Sequence, residues 1–335
     1  MASTQNNRVL VTGASGMIGR QICAAVQATG HGVVRAQVRD RTEAREKVAG
    51  VFDFALAELT QSDFTMMLEQ DHRELTKGCH TVIHTAGLVH NPNAPYQEYE
   101  VVNVRATQQL AEACVANQVK TLIFFSSSAV YGEGPFSNIN ESAPLKAKSP
   151  YAVSKATSET FLKGLETSIP RIIILRPSLV FGEGDRGNLL KMIREIKSQR
   201  YKHIGKGDTG KSVIYVKDLA RALLLCLDKV PEGYHVFNVA NPSPVTVHDL
   251  AEEIAKALEL DKKIQTVPAG LLKFGVKAAE LFGKSPVSSE QVEKLTTETT
   301  CSIEKLTKAT GFRPRTALNR AIKSEITWAQ KNELL

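Results

Sequence analysis

Tyr151 and Lys155 stand four residues apart in Tyr151-Ala152-Val153-Ser154-Lys155. On a helix this spacing puts a phenol and an ammonium on the same face. The cation favours phenolate and lowers a pKa that is otherwise about 10. Such a tyrosine can take or give the proton of an alcohol–ketone pair while a nicotinamide carries the hydride. The chain has seven tyrosines, so one such spacing arises readily by chance. Its weight comes from two companions. The apolar run Thr121-Leu122-Ile123-Phe124-Phe125 ends in Ser126-Ser127-Ser128, which places hydroxyls at the end of a strand. Near the N-terminus, Val9-Leu10-Val11-Thr12 runs into Gly13-Ala14-Ser15-Gly16-Met17-Ile18-Gly19.

That glycine stretch fits a phosphate. Branched apolar residues read as a strand buried on both faces. Gly13 suits the tight turn, Gly16 lets a ligand approach the backbone, and Gly19 lets helix and strand pack closely. The helix that follows from Arg20 offers free N–H groups and a partial positive charge to a pyrophosphate.

The elements that must hold these residues alternate along the chain. A second strand, Val33 to Arg39, ends about twenty residues beyond the last glycine, where an acid for a ribose 2′-hydroxyl is usual. Gln37 and Arg39 stand there instead, with Asp40 as the nearest acid, and a guanidinium binds a 2′-phosphate in a fork. This tilts the cofactor toward NADP over NAD. A short apolar run, Phe54 to Ala57, leads to Glu58-Leu59-Thr60. The strand Thr81 to His84 enters the small-residue turn Thr85-Ala86-Gly87, which lets backbone come close to a cofactor. We read His84, at a buried strand end, as structural. Tyr99 to Asn117 has helical spacing, and Ile172 to Leu175 is a further strand before Arg176-Pro177. Strand–helix alternation of this kind marks a doubly wound parallel sheet. Beyond residue 180 the pattern loosens. Helices are expected around 189–198, 217–227 and 247–258, with a late strand at 236–239.

Composition bounds the function. The chain has 335 residues, 42% hydrophobic and 23% charged, as in an ordinary soluble globular protein. No apolar run is long enough to cross a bilayer, and the polar start carries no signal segment. Five scattered cysteines without CxxC spacing read as reduced thiols in a cytoplasmic protein, with no zinc site. The net charge of +7 is spread among interleaved acids, as in Asp40-Arg41-Thr42-Glu43, so no nucleic-acid partner is expected.

Taken together, Thr12-Gly13-x-x-Gly16-x-x-Gly19, Ser126-Ser127-Ser128-Ala129-Val130-Tyr131-Gly132 and Tyr151-x-x-x-Lys155 resemble an extended short-chain dehydrogenase/reductase, and within it the nucleotide-sugar epimerase/dehydratase branch. The resemblance extends over nearly the whole chain. It takes in Asn103-Val104-Arg105-Ala106-Thr107, Arg176-Pro177, the segment Ser212 to Asp218, and Gly311-Phe312-Arg313-Pro314-Arg315. It implies an α/β, Rossmann-type doubly wound parallel sheet with a smaller, mostly helical C-terminal substrate region. Residues 1–180 would bind the dinucleotide, with 212–241 returning to that unit. Residues 181–211 and 242–335 would bind the substrate. Tyr151 would be the acid/base, Lys155 would hold the nicotinamide ribose, and Ser127 would bond the substrate oxygen, with Ser126 and Ser128 as possible substitutes. Cofactor contacts would come from Gly13, Ser15, Gly16, Met17, Ile18 and Gly19. Arg39, Glu58, Leu59, Thr85, Ala86, Gly87, Asn103 and Pro177 would complete them, beside Tyr151 and Lys155. Ser127, Ser128, Tyr131, Asn188 and Lys211 would face the substrate, and for Tyr131 a core position is an equal reading. A homodimer is implied by the resemblance alone.

The departures narrow the chemistry. Dehydratases of the family carry Asp-Glu directly after the catalytic Ser or Thr, whereas this chain has Ser128-Ala129, against 4,6-dehydration. Leu179 stands where many nucleotide-sugar members place Asn, and Lys211 where a phosphate-binding Arg is common. The first reading is hydride transfer at C4 of a nucleotide-activated hexose, as keto-reduction or epimerisation. The second is NADPH-dependent reduction of a non-nucleotide ketone, as in hydroxysteroid and flavonoid reductases. A non-catalytic NADP(H) sensor is a third, which the intact Ser127/Tyr151/Lys155 set disfavours.

Overall fold

A computed structural model describes residues 7–48, 51–89, 94–205, 207–261, 264–268 and 296–335. Its centre is a seven-stranded, all-parallel sheet. The strands are β1 (Arg8–Thr12), β2 (Val33–Val38), β3 (Ala57–Gln61), β4 (Cys79–His84), β5 (Thr121–Phe125), β7 (Arg171–Pro177) and β12 (Gly233–Val239). They lie in the order β12-β7-β5-β4-β1-β2-β3. The inner strands are apolar on both faces because helices cover both faces; every residue of β5 is buried.

On one face pack α1 (Met17–Thr29), α2 (Arg41–Val48) and α8 (Val216–Lys229). Ile22, Val26, Leu219 and Leu223 meet Val11, Ile123 and Ile173 there. On the other face lie α3 (Glu69–Thr76), α5 (Ala106–Ala116) and α6 (Pro150–Lys163), with Leu75, Leu110 and Leu162 against Leu10, Phe124 and Ile172. Each fully buried side chain of this kind contributes about 1.5–3 kcal/mol. The helix expected from Tyr99 begins earlier, at α4 (Tyr96–Tyr99), and reaches α5 through a wide turn over Glu100–Arg105.

The remainder forms a second layer. There α7 (Asn188–Lys197), α9 (Val247–Ala257) and α11 (Leu318–Lys331) pack on β8 (Leu179–Phe181) and β11 (Val213–Tyr215). The short α10 (Glu304–Thr310) precedes α11 and lies against β12. This region also contains a four-stranded sheet not foreseen from the sequence. Its order is β13-β10-β15-β6, from β13 (Val245–Thr246), β10 (Gly210–Lys211), β15 (Thr299–Cys301) and β6 (Phe136–Ile139). A separate pair joins β9 (His203–Ile204) to β14 (Thr266–Val267). Among the described residues no helix is long and apolar enough to cross a membrane, and all five cysteines are free and buried.

Candidate active site

The site forms where the parallel strands end. After β1 the chain turns at Gly13, whose φ of +64° suits glycine. A Cβ there would stand 2.9 Å from the Cα of Ala86, so the turn packs directly on the segment after β4. The Gly16 N–H donates to the Gly13 carbonyl at 2.9 Å. Gly16 then starts α1 with no side-chain cap, so the first-turn N–H groups of Met17, Ile18 and Gly19 are left for a ligand to satisfy. These observations fit the dinucleotide phosphate cradle expected at Gly13–Gly19.

Gln37 explains why no acid ends β2. Its Oε1 accepts from the Gly13 N–H at 2.9 Å and its Nε2 donates to the Ser62 carbonyl at 2.7 Å. The buried amide therefore clamps the glycine turn to the end of β3. Arg39 is exposed just beyond β2. Near it lies Asp63, which sequence reasoning missed. The Asp63 carboxyl accepts from the Thr65 N–H at 2.9 Å and the Thr65 hydroxyl at 2.8 Å, and these bonds hold it below the usual carboxylate range. The signal was Asp63-x-Thr65, a local turn in which a side chain bonds the backbone two residues on.

Glu58 and Leu59 require correction. The run at 54–56 is a single 3₁₀ turn, so β3 starts at Ala57 and Glu58 falls near its amino end. There Glu58 pairs with Arg8 at 2.8 Å and Arg35 at 3.0 Å, away from the end that carries the glycine turn. Leu59 packs, partly buried, against the core cluster that contains Val34 and Ala36. The residues that do reach the carboxyl end of β3 are Ser62 and Asp63.

After β4, Thr85 and Ala86 are tied to Thr12, whose Oγ1 accepts from both of their N–H groups at 3.2 Å. The Thr107 hydroxyl donates to the Asn103 carbonyl at 2.5 Å, so His84 Nε2–H donates to Thr107 Oγ1 at 3.0 Å. His84 Nδ1 then accepts from the Thr12 hydroxyl at 2.7 Å. Burial drives the His84 pKa down to about 3, which keeps the ring neutral. His84 is structural, as read. Asn103, expected at the cofactor, is wholly buried. Its amide donates to Leu88 O at 3.1 Å and to Ser154 Oγ at 2.9 Å, while its Oδ1 accepts from Leu88 N–H at 2.7 Å. It therefore positions the loop after Gly87 against α6, and the cofactor assignment is corrected to that role.

On α6, capped by Ser149, Tyr151 and Lys155 share a face as their spacing requires. Tyr151 hydrogen-bonds Ser127, and its ring lies edge-on to Tyr99 at 6.5 Å. Lys155 is buried, with Nζ 4.6 Å from the Phe124 ring centroid and 6.0 Å from that of Tyr151. A Cβ on Gly87 would come within 3.3 Å of that Nζ, so the glycine lets the strand-end loop close over the lysine. The expected depression of the phenol is not what the protein shows. Burial pushes Tyr151 up to about 12, offset in part by the Ser127 bond, and burial pulls Lys155 down to about 8. The two side chains share a face, yet removal from water governs both groups.

The serines divide their roles. Ser126 is buried and donates to Glu159 Oε1, so it is the packing hydroxyl. Ser127 also accepts from the Ala129 N–H at 3.2 Å. Ser128 is half-buried in the turn Ser128–Tyr131. Tyr131 takes the core reading, and its placement beside a substrate is corrected. It is 3% exposed, donates to Asn238 Oδ1 at 2.7 Å and accepts from Arg176 Nη1 at 2.8 Å. Arg176 in turn holds Glu159 through both oxygens, at 3.0 Å and 2.5 Å. Pro177 is buried at the carboxyl end of β7, level with Val239. Asn188 is exposed at the start of α7, where Asp185 is the residue that caps the turn, accepting from Gly187 and Leu190. Lys211 donates to the Thr297 carbonyl and to Thr299 Oγ1, which turns its ammonium to β15.

Comparison with known proteins agrees with this geometry. A family model described as "NAD dependent epimerase/dehydratase family" matches residues 9–240. An N-acetyl-alpha-D-glucosaminyl-diphospho-ditrans,octacis-undecaprenol 4-epimerase from Escherichia coli O157:H7 is 27% identical, covering 98% of both chains. A UDP-glucose 4-epimerase from Vibrio cholerae is 27% identical over 94% of this chain and 93% of its own. Among solved structures, MoeE5 in complex with UDP-glucuronic acid and NAD superposes with a TM-score of 0.76 at 25% identity, covering 97% of this chain and all of that one.

Proposed function

The chain belongs to the NAD dependent epimerase/dehydratase family, and from that premise we propose that it inverts C4 of a nucleotide-activated hexose through a transient 4-ketone. The observation that carries the reading is the meeting of Ser127, Tyr151 and Lys155 beside the glycine turn, with Gly87 closing over the lysine. The turn Gly13–Gly19 and the first turn of α1 would hold the dinucleotide phosphates, and Lys155 its ribose. When bound, the dinucleotide supplies the acceptor and donor of hydride. Tyr151 moves the proton. Its phenol, pushed up to about 12 by burial, holds the proton that returns to the ketone oxygen. To accept one it must become phenolate, which the Ser127 hydroxyl and the Lys155 ammonium support by hydrogen bond and charge. Ser127 aligns the oxygen, and burial of Lys155 and the Phe124 ring excludes water from that side.

The dinucleotide reading now leans to NAD. Arg39 remains the only arginine placed directly after β2, but Asp63 beside it is held ionised and repels a 2′-phosphate. Both relatives named above are 4-epimerases, and MoeE5 carries NAD. In this reading residues 1–180 with 212–241 form the dinucleotide unit, residues 181–211 with 242–335 form the substrate unit, and the enzyme works as a homodimer in the cytoplasm.

The test is direct. The purified protein is denatured and its released dinucleotide identified, and UDP-hexoses are then assayed for C4 inversion. Retained NAD with inversion, lost in Tyr151→Phe by at least about a thousandfold with NAD still bound, supports the reading. Inversion that survives Tyr151→Phe overturns the acid/base. A second reading, reduction of a non-nucleotide ketone, draws on Leu179, 37% exposed, and on Lys211 being turned to β15. An empty protein that oxidises NADPH with such ketones, and leaves UDP-hexoses unchanged, would favour it.

A further inference from the structure

Away from the cleft, β9 and α9 bring three metal-ligating side chains together. His248 and Glu252 lie one turn apart on α9, which puts them on one face. His203 approaches from β9, and the ligand atoms of the three lie within 4.8 Å of one another. The rings of His203 and His248 stack at 4.5 Å between centroids, inclined by 18°. His203 Nε2 stands 3.7 Å from Glu252 Oε1, too far for a hydrogen bond.

A second, independent observation comes from His203 itself. It is 2% exposed, and neither ring nitrogen has a hydrogen-bond partner. Leaving a buried polar atom unsatisfied costs about 1–3 kcal/mol, and an apolar ring of similar size would avoid that cost. The partners complete the logic. His248 is exposed and can turn about its side-chain bonds, and Glu252 is half-buried. Two imidazoles and one carboxylate suit zinc and its transition-metal neighbours; magnesium and calcium prefer all-oxygen sets.

We propose that His203, His248 and Glu252 form a site for one divalent transition ion of the zinc type, with its fourth position open to water on the His248 side. The ion would tie β9 to α9. The His248 N–H already donates to the Gly207 carbonyl at 3.0 Å, so the same tie would fix the turn that leads into β10 and Lys211. The site takes no part in the proposed hydride chemistry and stands whether or not that reading holds.

The test uses the full chain after chelation and dialysis. Calorimetric titration with Zn²⁺ should show one ion bound per chain, and Co²⁺ should give the absorption bands of a low-coordinate site. Zn²⁺ should also raise the melting temperature. His248→Gln and Glu252→Gln, which change side chains at or near the surface, should each weaken Zn²⁺ binding at least about tenfold. His203→Phe should fold, melt at least as high as the parent without metal, and lose the Zn²⁺ response. No saturable binding would overturn the proposal. Equal binding by His248→Gln and Glu252→Gln would also overturn it, since it means that surface groups elsewhere hold the ion.

Discussion

Replacing Gly19 with alanine sets two effects against each other. In the first turn of α1, alanine exceeds glycine in helix propensity by about 1 kcal/mol. Packing opposes that gain. A Cβ at residue 19 would stand 2.2 Å from the Gly13 carbonyl oxygen, 2.8 Å from its carbonyl carbon and 2.9 Å from the Cα of Ala14. Ordinary contact begins at roughly 3.5 Å, so turn and helix must part by roughly 1 Å. All three opposing atoms belong to backbone, and none can rotate away. Overpacking of this kind costs about 1–3 kcal/mol, which leaves a net loss of up to about 2 kcal/mol in stability. The sharper readout is affinity, because the displaced atoms are those of the phosphate turn. One charge-assisted hydrogen bond is worth about 1.5–3 kcal/mol, so losing its geometry weakens NAD binding by about tenfold or more. Urea denaturation and NAD titration measure the two quantities. Gly30→Ala is the control. It sits at φ +69° with nothing within 4 Å of its Cβ, so it should lose about 1–2 kcal/mol of stability to backbone strain alone and keep its NAD affinity. If Gly19→Ala gains about 1 kcal/mol and binds NAD like the parent, close packing is not what this glycine provides.

Three further outcomes follow from buried polar groups. Glu325, whose Oε2 accepts from the Gly182 N–H at 2.8 Å, is raised from 4.5 to about 9 by burial and by Asp185. The folded state therefore holds an extra proton between those values, and stability falls as pH rises through that window, by up to about 1.4 kcal/mol per unit. Glu325→Gln should flatten the fall in unfolding free energy between pH 5 and 9; an unchanged slope refutes the assignment. Glu159→Gln leaves the Arg176 guanidinium buried without its counter-charge and should cost about 3–5 kcal/mol in urea denaturation. A loss below about 1 kcal/mol would show that the pair is solvated in solution. Gly87→Ala presses on Lys155 Nζ and Asn103 Oδ1 at 3.3 and 3.1 Å. It should lower kcat by about ten- to a hundredfold with the fold intact, and wild-type turnover would contradict the close fit.

What the sequence shows depends on how far apart the interacting residues lie. The glycine turn and the Tyr151–Lys155 pair are legible because their geometry is set within a turn or two of backbone. His84 is legible as a buried strand end. Glu58 misleads because residues 54–56 form a single turn, so β3 begins only at Ala57 and Glu58 falls at the end of the strand away from the glycine turn. Tyr131 is settled by Asn238, 107 residues away, and Lys211 by the 297–299 segment. Both partners are invisible to local pattern. The four-stranded sheet escapes for another reason: β10 and β13 are two residues each, too short to display an alternating period. Asp63 is missed because its role depends on where β3 ends.

The position of Asn238 has a consequence for how the chain reaches its native state. β4 occupies the middle of the sheet, and β1, β2, β3 and β4 can associate once the first 84 residues are made. The Tyr131 hydroxyl must wait for an acceptor that leaves the ribosome more than a hundred residues later, on the outermost strand. Until then β7 presents an unpaired edge, and the Ser126–Glu159–Arg176–Tyr131 chain lacks its last member. Nascent chains stopped before residue 233 should therefore collapse without locking, expose that edge to other strands, and require chaperone protection until β12 arrives.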